Sequence, residues 1–388
     1  MNTRATQLLG IDFPIFAFTH CRDVAAAVTN AGGLGVLGAV AHTPEQLEVD
    51  LKWIADQTKG RPFGVDLLMP RKYVGAEAGG FDSTSLKSMV PNEHRQWLDE
   101  LLERYGVPEL PAAGDEREGR GMAGLRIDPK GMAPLIDVAF DHRVALIASA
   151  LGSPPRWLVD KAHAKGIPVA ALAGRLDHAI AHKEAGADLI IAQGTEGGGH
   201  TGEIATMVLV PQVVDAVAPT PVLAAGGIAN GRQMAAALAL GAEGVWCGSV
   251  WLTTHEAETT PVIREKFLAA TSADTRRSRS LTGKPARMLR SAWTDAWDEP
   301  DAPTPLGMPL QSMLIAEAQR RIHRVAHQPD STARPLVTYF VGQVVGQMNV
   351  PSSARDVVRE MVEQCIDAME RMNLALTAEP VPSSAENR

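Results

Sequence analysis

Short apolar runs alternate with helix-forming segments over the first 255 residues of this 388-residue chain, and that alternation leaves few folds open. The apolar runs fall at 14–18, 34–40, 63–68, 144–150, 168–172, 188–193, 221–225 and 245–251. Most are continuous rather than alternating, as expected of parallel strands buried on both faces. Helical segments follow at 23–31, from 44, and at 155–165, 177–185, 207–217 and 232–240. Thr43-Pro44-Glu45 opens the second of these with an N-cap and a proline in the first turn. The eight β-then-α units predict an α/β fold of the (β/α)₈ TIM-barrel type, closing near residue 255. A doubly wound open sheet is the alternative. It would usually carry its glycine-rich turn after the first strand, whereas the glycines here cluster after the sixth, seventh and eighth.

Two regions break the repeat. Residues 70–141 form a long insertion after the third strand, with a helix expected at 91–105 and a charged, glycine-rich loop or lid at 112–124. Residues 256–350 are expected to form a helical cap or substrate domain over the barrel mouth, with a strong helix at 309–325 and an apolar, glycine-punctuated stretch at 337–348. A last helix in 351–378 is expected to return to the barrel, and 379–388 to be a disordered tail.

Composition narrows the class of function. With 37 basic and 45 acidic residues the net charge is −8, which disfavours nucleic acid and anionic membranes as partners. No run of apolar residues is long enough to span a bilayer, and the N-terminus lacks a signal-peptide pattern. Cys21, Cys247 and Cys365 are odd in number and widely spaced, which argues against a disulfide framework or a metal site. The expectation is a cytoplasmic enzyme acting on a small molecule, with room for a homo-oligomer.

The seventh strand runs into Gly226-Gly227-Ile228 and the eighth into Cys247-Gly248-Ser249. In barrels the loops after these strands often hold a phosphate on backbone N–H groups and a helix N-terminus. Gly226, Gly227, Gly248 and Ser249 are therefore phosphate candidates. The sixth strand ends in Gln193-Gly194-Thr195-Glu196-Gly197-Gly198-Gly199-His200. The Gln193 amide suits a heterocycle edge. The glycines allow a flat ring to approach the backbone. His200 would then stand at the mouth, with a side chain whose ordinary pKa suits proton transfer. His20 follows the first strand and should face the same mouth, as a substrate contact.

Taken together, these residues resemble the nitronate monooxygenase (2-nitropropane dioxygenase) family of FMN-dependent barrels. The match rests on Ala31-Gly32-Gly33-Leu34-Gly35, on Gln193 with the Gly198-Gly199-His200-Thr201-Gly202 loop, and on Gly226-Gly227-Ile228 followed by Leu240-Gly241-Ala242 and Gly248-Ser249. The resemblance implies a flavoprotein oxidoreductase that oxidises nitronates or nitroalkanes with O₂, with His200 as the catalytic base. It implies FMN phosphate on Gly226, Gly227, Gly248 and Ser249. It implies further FMN contacts at Ala17, Phe18, Thr19, Asp66, Gln193, Gly194, Gly198 and Gly199. The chain departs from the pattern at two positions. Ala17-Phe18-Thr19-His20 stands where the family has Ala-Pro-Met, and Asp66 stands where it has asparagine.

Two other readings stay open. One is an NAD(P)H-dependent flavin enzyme reducing a quinone, enoyl or acyl-CoA substrate. The other is a flavin-free barrel for a phosphorylated ligand. The basic run Arg276, Arg277, Arg279, Lys284, Arg287 and Arg290 reads as a solvated surface, or as a dock for the phosphates of a coenzyme A thioester or nicotinamide nucleotide.

Overall fold

Strands β1 (Ile15–Thr19), β2 (Leu34–Gly38), β3 (Gly64–Leu68), β4 (Leu146–Ala150), β5 (Val169–Ala173), β6 (Leu189–Gln193), β8 (Val222–Ala225) and β9 (Gly244–Cys247) close a parallel barrel, with β9 pairing back onto β1. The computed structural model describes residues 1–68, 86, 88–110, 129–142 and 144–377. The loop expected at 112–124 and the tail expected at 379–388 lie outside the described residues. All eight predicted strands are present. The eighth is shorter than its apolar run, because residues Ser249–Thr253 turn into a 3₁₀ helix.

Period-two alternation sorts the strand side chains into two layers. Phe16, Val36, Leu146, Ala170, Ile191, Leu223 and Trp246 fill the barrel, and Ala5 and Leu9 of the N-terminal helix Arg4–Leu9 join this interior cluster. Ile15, Ala17, Ile190, Ala192, Val245 and Cys247 point outward into the helical layer. Helix Pro44–Thr58 starts as the sequence predicts. The Thr43 side chain accepts from Gln46 N–H, and the Gln46 side chain accepts from Thr43 N–H.

The insertion contains two helices that serve different cores. Pro129–Asp141, not anticipated from the sequence, packs on Pro44–Thr58 and buries Leu135, Ile136 and Phe140 with Val65 and Leu67 of β3. Asn92–Arg104 instead buries Leu98, Leu101 and Leu102 with Leu314, Ile315 and Ile322 of the later helix Leu310–Ala326. Trp97 meets Trp297 at 4.5 Å between ring centroids.

The region after the barrel was expected to be helical, but it also contains an antiparallel hairpin, β10 (Thr275–Ser278) and β11 (Ala286–Leu289). Beyond it, helix Ala354–Thr377 packs against helices Gly231–Ala239 and Arg22–Asn30, burying Val358, Met361 and Cys365 in the outer barrel core. No described helix is long and apolar enough to cross a membrane.

Candidate active site

The loop after β6 is held from several sides. Gly194 N–H donates to Ala225 O (2.9 Å), and Thr195 N–H donates to Ile204 O (2.8 Å). The Glu196 carboxylate accepts Thr206 N–H (3.0 Å) at the start of helix Thr206–Val217, where a negative charge is favourable. The loop then forms a two-residue strand, β7 (Gly199–His200), which pairs antiparallel with β11: His200 opposite Ala286 and Gly199 opposite Arg287.

The basic run is part of this scaffold. Arg287 Nε donates to Thr195 O (2.8 Å), and Arg277 Nη2 donates to Thr201 O (3.1 Å). Arg276 pairs with Asp295 and Asp298, and Arg290 pairs with Asp295. Arg279 Nε donates to Gly283 O. Arg287 and Arg277 tie the hairpin to the loop and Arg276 ties it to the segment that follows, while Arg279 and Arg290 stay exposed, as a solvated surface would have them. Sequence reading missed this because a short strand rich in arginine carries no apolar signal.

The cap also backs the glycines. Gln343 N–H donates to Glu196 O (2.9 Å), and Gly342 N–H donates to Ser249 Oγ (2.8 Å). A Cβ on Gly198 would meet Gly342 N and Val341 Cα at 2.9 Å, and one on Gly194 would meet Thr206 Oγ1 at 2.1 Å. Glycine at 194 and 198 is therefore required by protein packing. Gly226 is also conformationally required, with φ +91° and Gly194 O 2.8 Å from an added Cβ. Gly248 differs. Its φ is −118°, and an added Cβ would meet nothing nearer than Phe18 at 3.8 Å.

His200 Nε2 lies 2.8 Å from Thr282 Oγ1, in the turn between β10 and β11. Its ring faces Phe340 at 6.2 Å between centroids. Desolvation first, then the positive charge of Lys284, lowers the His200 pKa to about 4. The ring is therefore neutral at physiological pH.

Across the barrel, His20 Nδ1 sits 3.1 Å from Gly38 O. A carbonyl only accepts, so Nδ1 carries the proton and Nε2 keeps its lone pair. His20 as a residue reaches solvent, yet its ring lies against the backbone of β2, where an added Cβ on Gly38 would meet it at 2.6 Å. Desolvation lowers its pKa, opposed by the bond to Gly38. Phe18 lies between His20 (5.1 Å, edge-on) and Trp246 (6.2 Å, stacked). Thr19 Oγ1 accepts from Cys21 N–H (3.0 Å).

Asp66 shares the inward register, paired with Gly38 and Ala148 on the neighbouring strands. It is buried, and its Oδ2 has no hydrogen-bond partner among the described residues. Burial pushes its pKa up to about 7. Gln193 ends β6 in the same inward register, and its Nε2 lies 3.1 Å from where a Gly197 Cβ would sit. The structure thus gathers Phe18, His20, Asp66, Gln193, His200, Gly227, Gly248 and Ser249 at the carboxyl ends of the strands. Ala17 does not join them through its side chain, which packs outward with Val24 and Val28 because its strand position has the opposite parity.

The nitronate monooxygenase family model matches residues 2–364. A Mycobacterium tuberculosis protein named as a monooxygenase is 64% identical over 369 residues, covering 95% of this chain and 98% of its own. A Staphylococcus saprophyticus protein named as a nitronate monooxygenase is 30% identical, covering 81% of this chain and 85% of its own. Among solved structures, nitroalkane oxidase from Streptomyces ansochromogenes superposes with a TM-score of 0.76 at 28% identity, covering 95% of this chain and 99% of its own. FabK from Thermotoga maritima superposes at 0.67 with 26% identity, covering 96% and 99%. The barrel, the loop chemistry and these matches agree: the chain belongs to the nitronate monooxygenase family, and it is a flavin-dependent oxidoreductase.

Proposed function

We propose that this enzyme binds FMN and oxidises nitronates and nitroalkanes with O₂, using His200 as the base for neutral nitroalkanes. The observation that carries this reading is His200 itself. It is a neutral imidazole with one nitrogen engaged, on a loop pinned by its own backbone and by the cap hairpin.

The residues present fit a flavin mononucleotide. Neither backbone conformation nor a protein neighbour calls for glycine at 248, so the open space over its backbone suits close approach by a ligand. Gly226 and Gly227, both at positive φ, lead into helix Gly231–Ala239, where Asn230 caps Gln233 N–H. Ser249 Oγ accepts from Gly342 and keeps its own proton to donate. Gly226, Gly227, Gly248 and Ser249 would hold the phosphate. Phe18, Asp66, Gln193 and the backbone of Ala17, Thr19, Gly194, Gly198 and Gly199 would line the ring. When bound, FMN would supply the redox chemistry between the nitronate and O₂.

The chain's own residues handle the proton. Neutral His200 removes the α-carbon proton of a nitroalkane and leaves the electron pair on the nitronate. His20, with Nδ1 on Gly38 O and Nε2 unengaged among the described residues, offers a hydrogen-bond acceptor to the substrate from the other side of the mouth. With a pKa of about 4, His200 stays basic across the neutral range. The His200 contribution to nitroalkane kcat/KM should therefore be flat from neutrality down to about pH 5 and fall as pH approaches 4, with any step near pH 7 belonging to Asp66.

His200→Asn tests the assignment. Nitroalkane turnover should fall by about 10²-fold or more, while turnover of preformed nitronate, which needs no deprotonation, should fall far less. Equal loss on both substrates would remove His200 as the base. The hairpin arginines bond to neighbouring groups of the protein, so they carry no specific argument for the NAD(P)H reading. Anaerobic bleaching of the flavin by nitronate but not by NADPH is the expected result.

A further inference from the structure

We infer that Thr282 is a positioning residue that fixes the tautomer of His200 and makes Nδ1 the proton-accepting atom. This inference rests on the assignment of His200 as base.

Thr282 sits in the turn between β10 and β11 and is 2% exposed. Its Oγ1 stands 2.8 Å from His200 Nε2, 3.2 Å from Lys284 O and 3.3 Å from Lys284 N. A threonine hydroxyl has one proton to give and lone pairs to receive. Lys284 N–H can only donate, so it takes one lone pair. Lys284 O can only accept, so it takes the hydroxyl proton. The contact left for His200 is acceptance, so Nε2 carries hydrogen and donates to Oγ1. Nδ1 is then the bare nitrogen, and it has no hydrogen-bond partner among the described residues.

The opposite arrangement would put the proton on Nδ1 and engage Nε2 as an acceptor. No lone pair would remain for a substrate. The hydroxyl of Thr282 therefore separates a basic His200 from an inert one. In a catalytic triad an oriented third group does the same for its histidine.

In the reaction, the α-C–H bond of the nitroalkane breaks and its electron pair stays on the nitronate. The proton bonds to Nδ1. The resulting imidazolium keeps its Nε2–H on Thr282, so no further group has to move.

Nearby structure sets the rigidity of this contact. The Thr282 turn is the tip of the hairpin whose second strand pairs with His200, so base and orienter belong to one three-stranded sheet. Gly283, at φ +80° and with Leu306 O 2.1 Å from an added Cβ, fixes the turn against the cap.

The experiment compares Thr282→Val and Thr282→Ser in the flavin-loaded enzyme, on a neutral nitroalkane and on its preformed nitronate. Valine keeps the shape and removes the hydroxyl. It should lower nitroalkane kcat by on the order of 10- to 100-fold while nitronate kcat changes by no more than about twofold, and serine should restore most of the loss. Nitrogen-15 NMR of histidine-labelled protein gives a readout independent of turnover. The wild type should show His200 as the Nε2–H tautomer, and Thr282→Val should add Nδ1–H signal.

A wild-type His200 in the Nδ1–H form, or a Thr282→Val enzyme with wild-type nitroalkane turnover, overturns the inference and leaves His200 as base intact. Equal losses on both substrates with His200→Asn overturn the base assignment itself. If Thr282→Val loses flavin or folds poorly, the wild-type spectrum and the Thr282→Ser enzyme still decide.

Discussion

Asp66 and His200 carry opposite pH signatures, and each can be isolated by one substitution. Asp66 has its folded pKa raised to about 7 by burial, from an ordinary value of 3.8. Between those values the folded chain holds a proton that the unfolded chain lacks, so stability falls as pH rises through this window. His200 has its folded pKa lowered to about 4 from 6.5. There the unfolded chain holds the extra proton, so stability falls as pH drops from 6.5 toward 4. The two slopes oppose each other in the wild type. Asp66→Asn should abolish the loss of stability between pH 4 and 7 that Asp66 causes, and leave the acid-side loss from His200 unmasked. Thermal midpoints of the flavin-free chain from pH 4 to 8 check this. Parallel wild-type and variant profiles would mean that Asp66 ionises normally. Asparagine is also the residue that the family resemblance leads one to expect at this position. The carboxyl here adds a proton donor when neutral, facing inward beside Gly38 and Ala148.

At the scale of elements, the glycine turns divide into those the protein's own packing needs and those, such as Gly248, that it does not. Gly226→Ala places a side chain at φ +91° against Gly194 O, and should cost about 1–3 kcal/mol of stability. Gly248→Ala meets neither obstacle. Stability should change by less than about 0.5 kcal/mol, while FMN affinity, followed by flavin fluorescence during titration, should fall clearly. Unaltered affinity in Gly248→Ala would take Gly248 out of the phosphate site. This division was only half legible in the sequence. The strands were readable because a strand covered on both faces must be apolar throughout, and the turns because glycine marks them. What glycine serves at each turn depends on residues far away in the chain, such as Thr206 at Gly194 and Gly342 at Gly198. The hairpin that carries Thr282 was hidden for a related reason. Its arginines bond to loop carbonyls, a tertiary use of charge that local composition cannot reveal. The apolar run at 245–251 misled in the other direction. Val250 and Trp251 are buried in the outer core, but from a 3₁₀ turn rather than a strand.

At the scale of the whole molecule, the chain leaves the barrel after β9, builds the cap, and returns as helix Ala354–Thr377. That helix packs between Gly231–Ala239 and Arg22–Asn30, next to the strands that close the barrel, so it completes the outer helical layer. The cap is thereby fastened at both ends, by β9 going out and by the last helix coming back. It is also joined to the barrel through the loop that holds His200. Gly231, at the start of helix Gly231–Ala239, lies directly against the returning helix. An added Cβ there would lie 2.2 Å from Met361 O and 2.4 Å from Cys365 N, both backbone atoms that cannot rotate away. Gly231→Ala must push the two helices apart, at a cost of about 1–3 kcal/mol. Because the displaced helix is one of the two fastenings of the cap, its loosening should spread toward the hairpin. Hydrogen exchange should rise first in residues Ala354–Thr377, then in β10 and β11, while the barrel interior around Phe16, Ile191 and Trp246 keeps its protection. Exchange confined to the last helix would show that the hairpin is held by the barrel loop alone. In that case the fixed geometry of His200 would depend on Arg277, Arg287 and the β7–β11 pairing, without help from the far end of the chain.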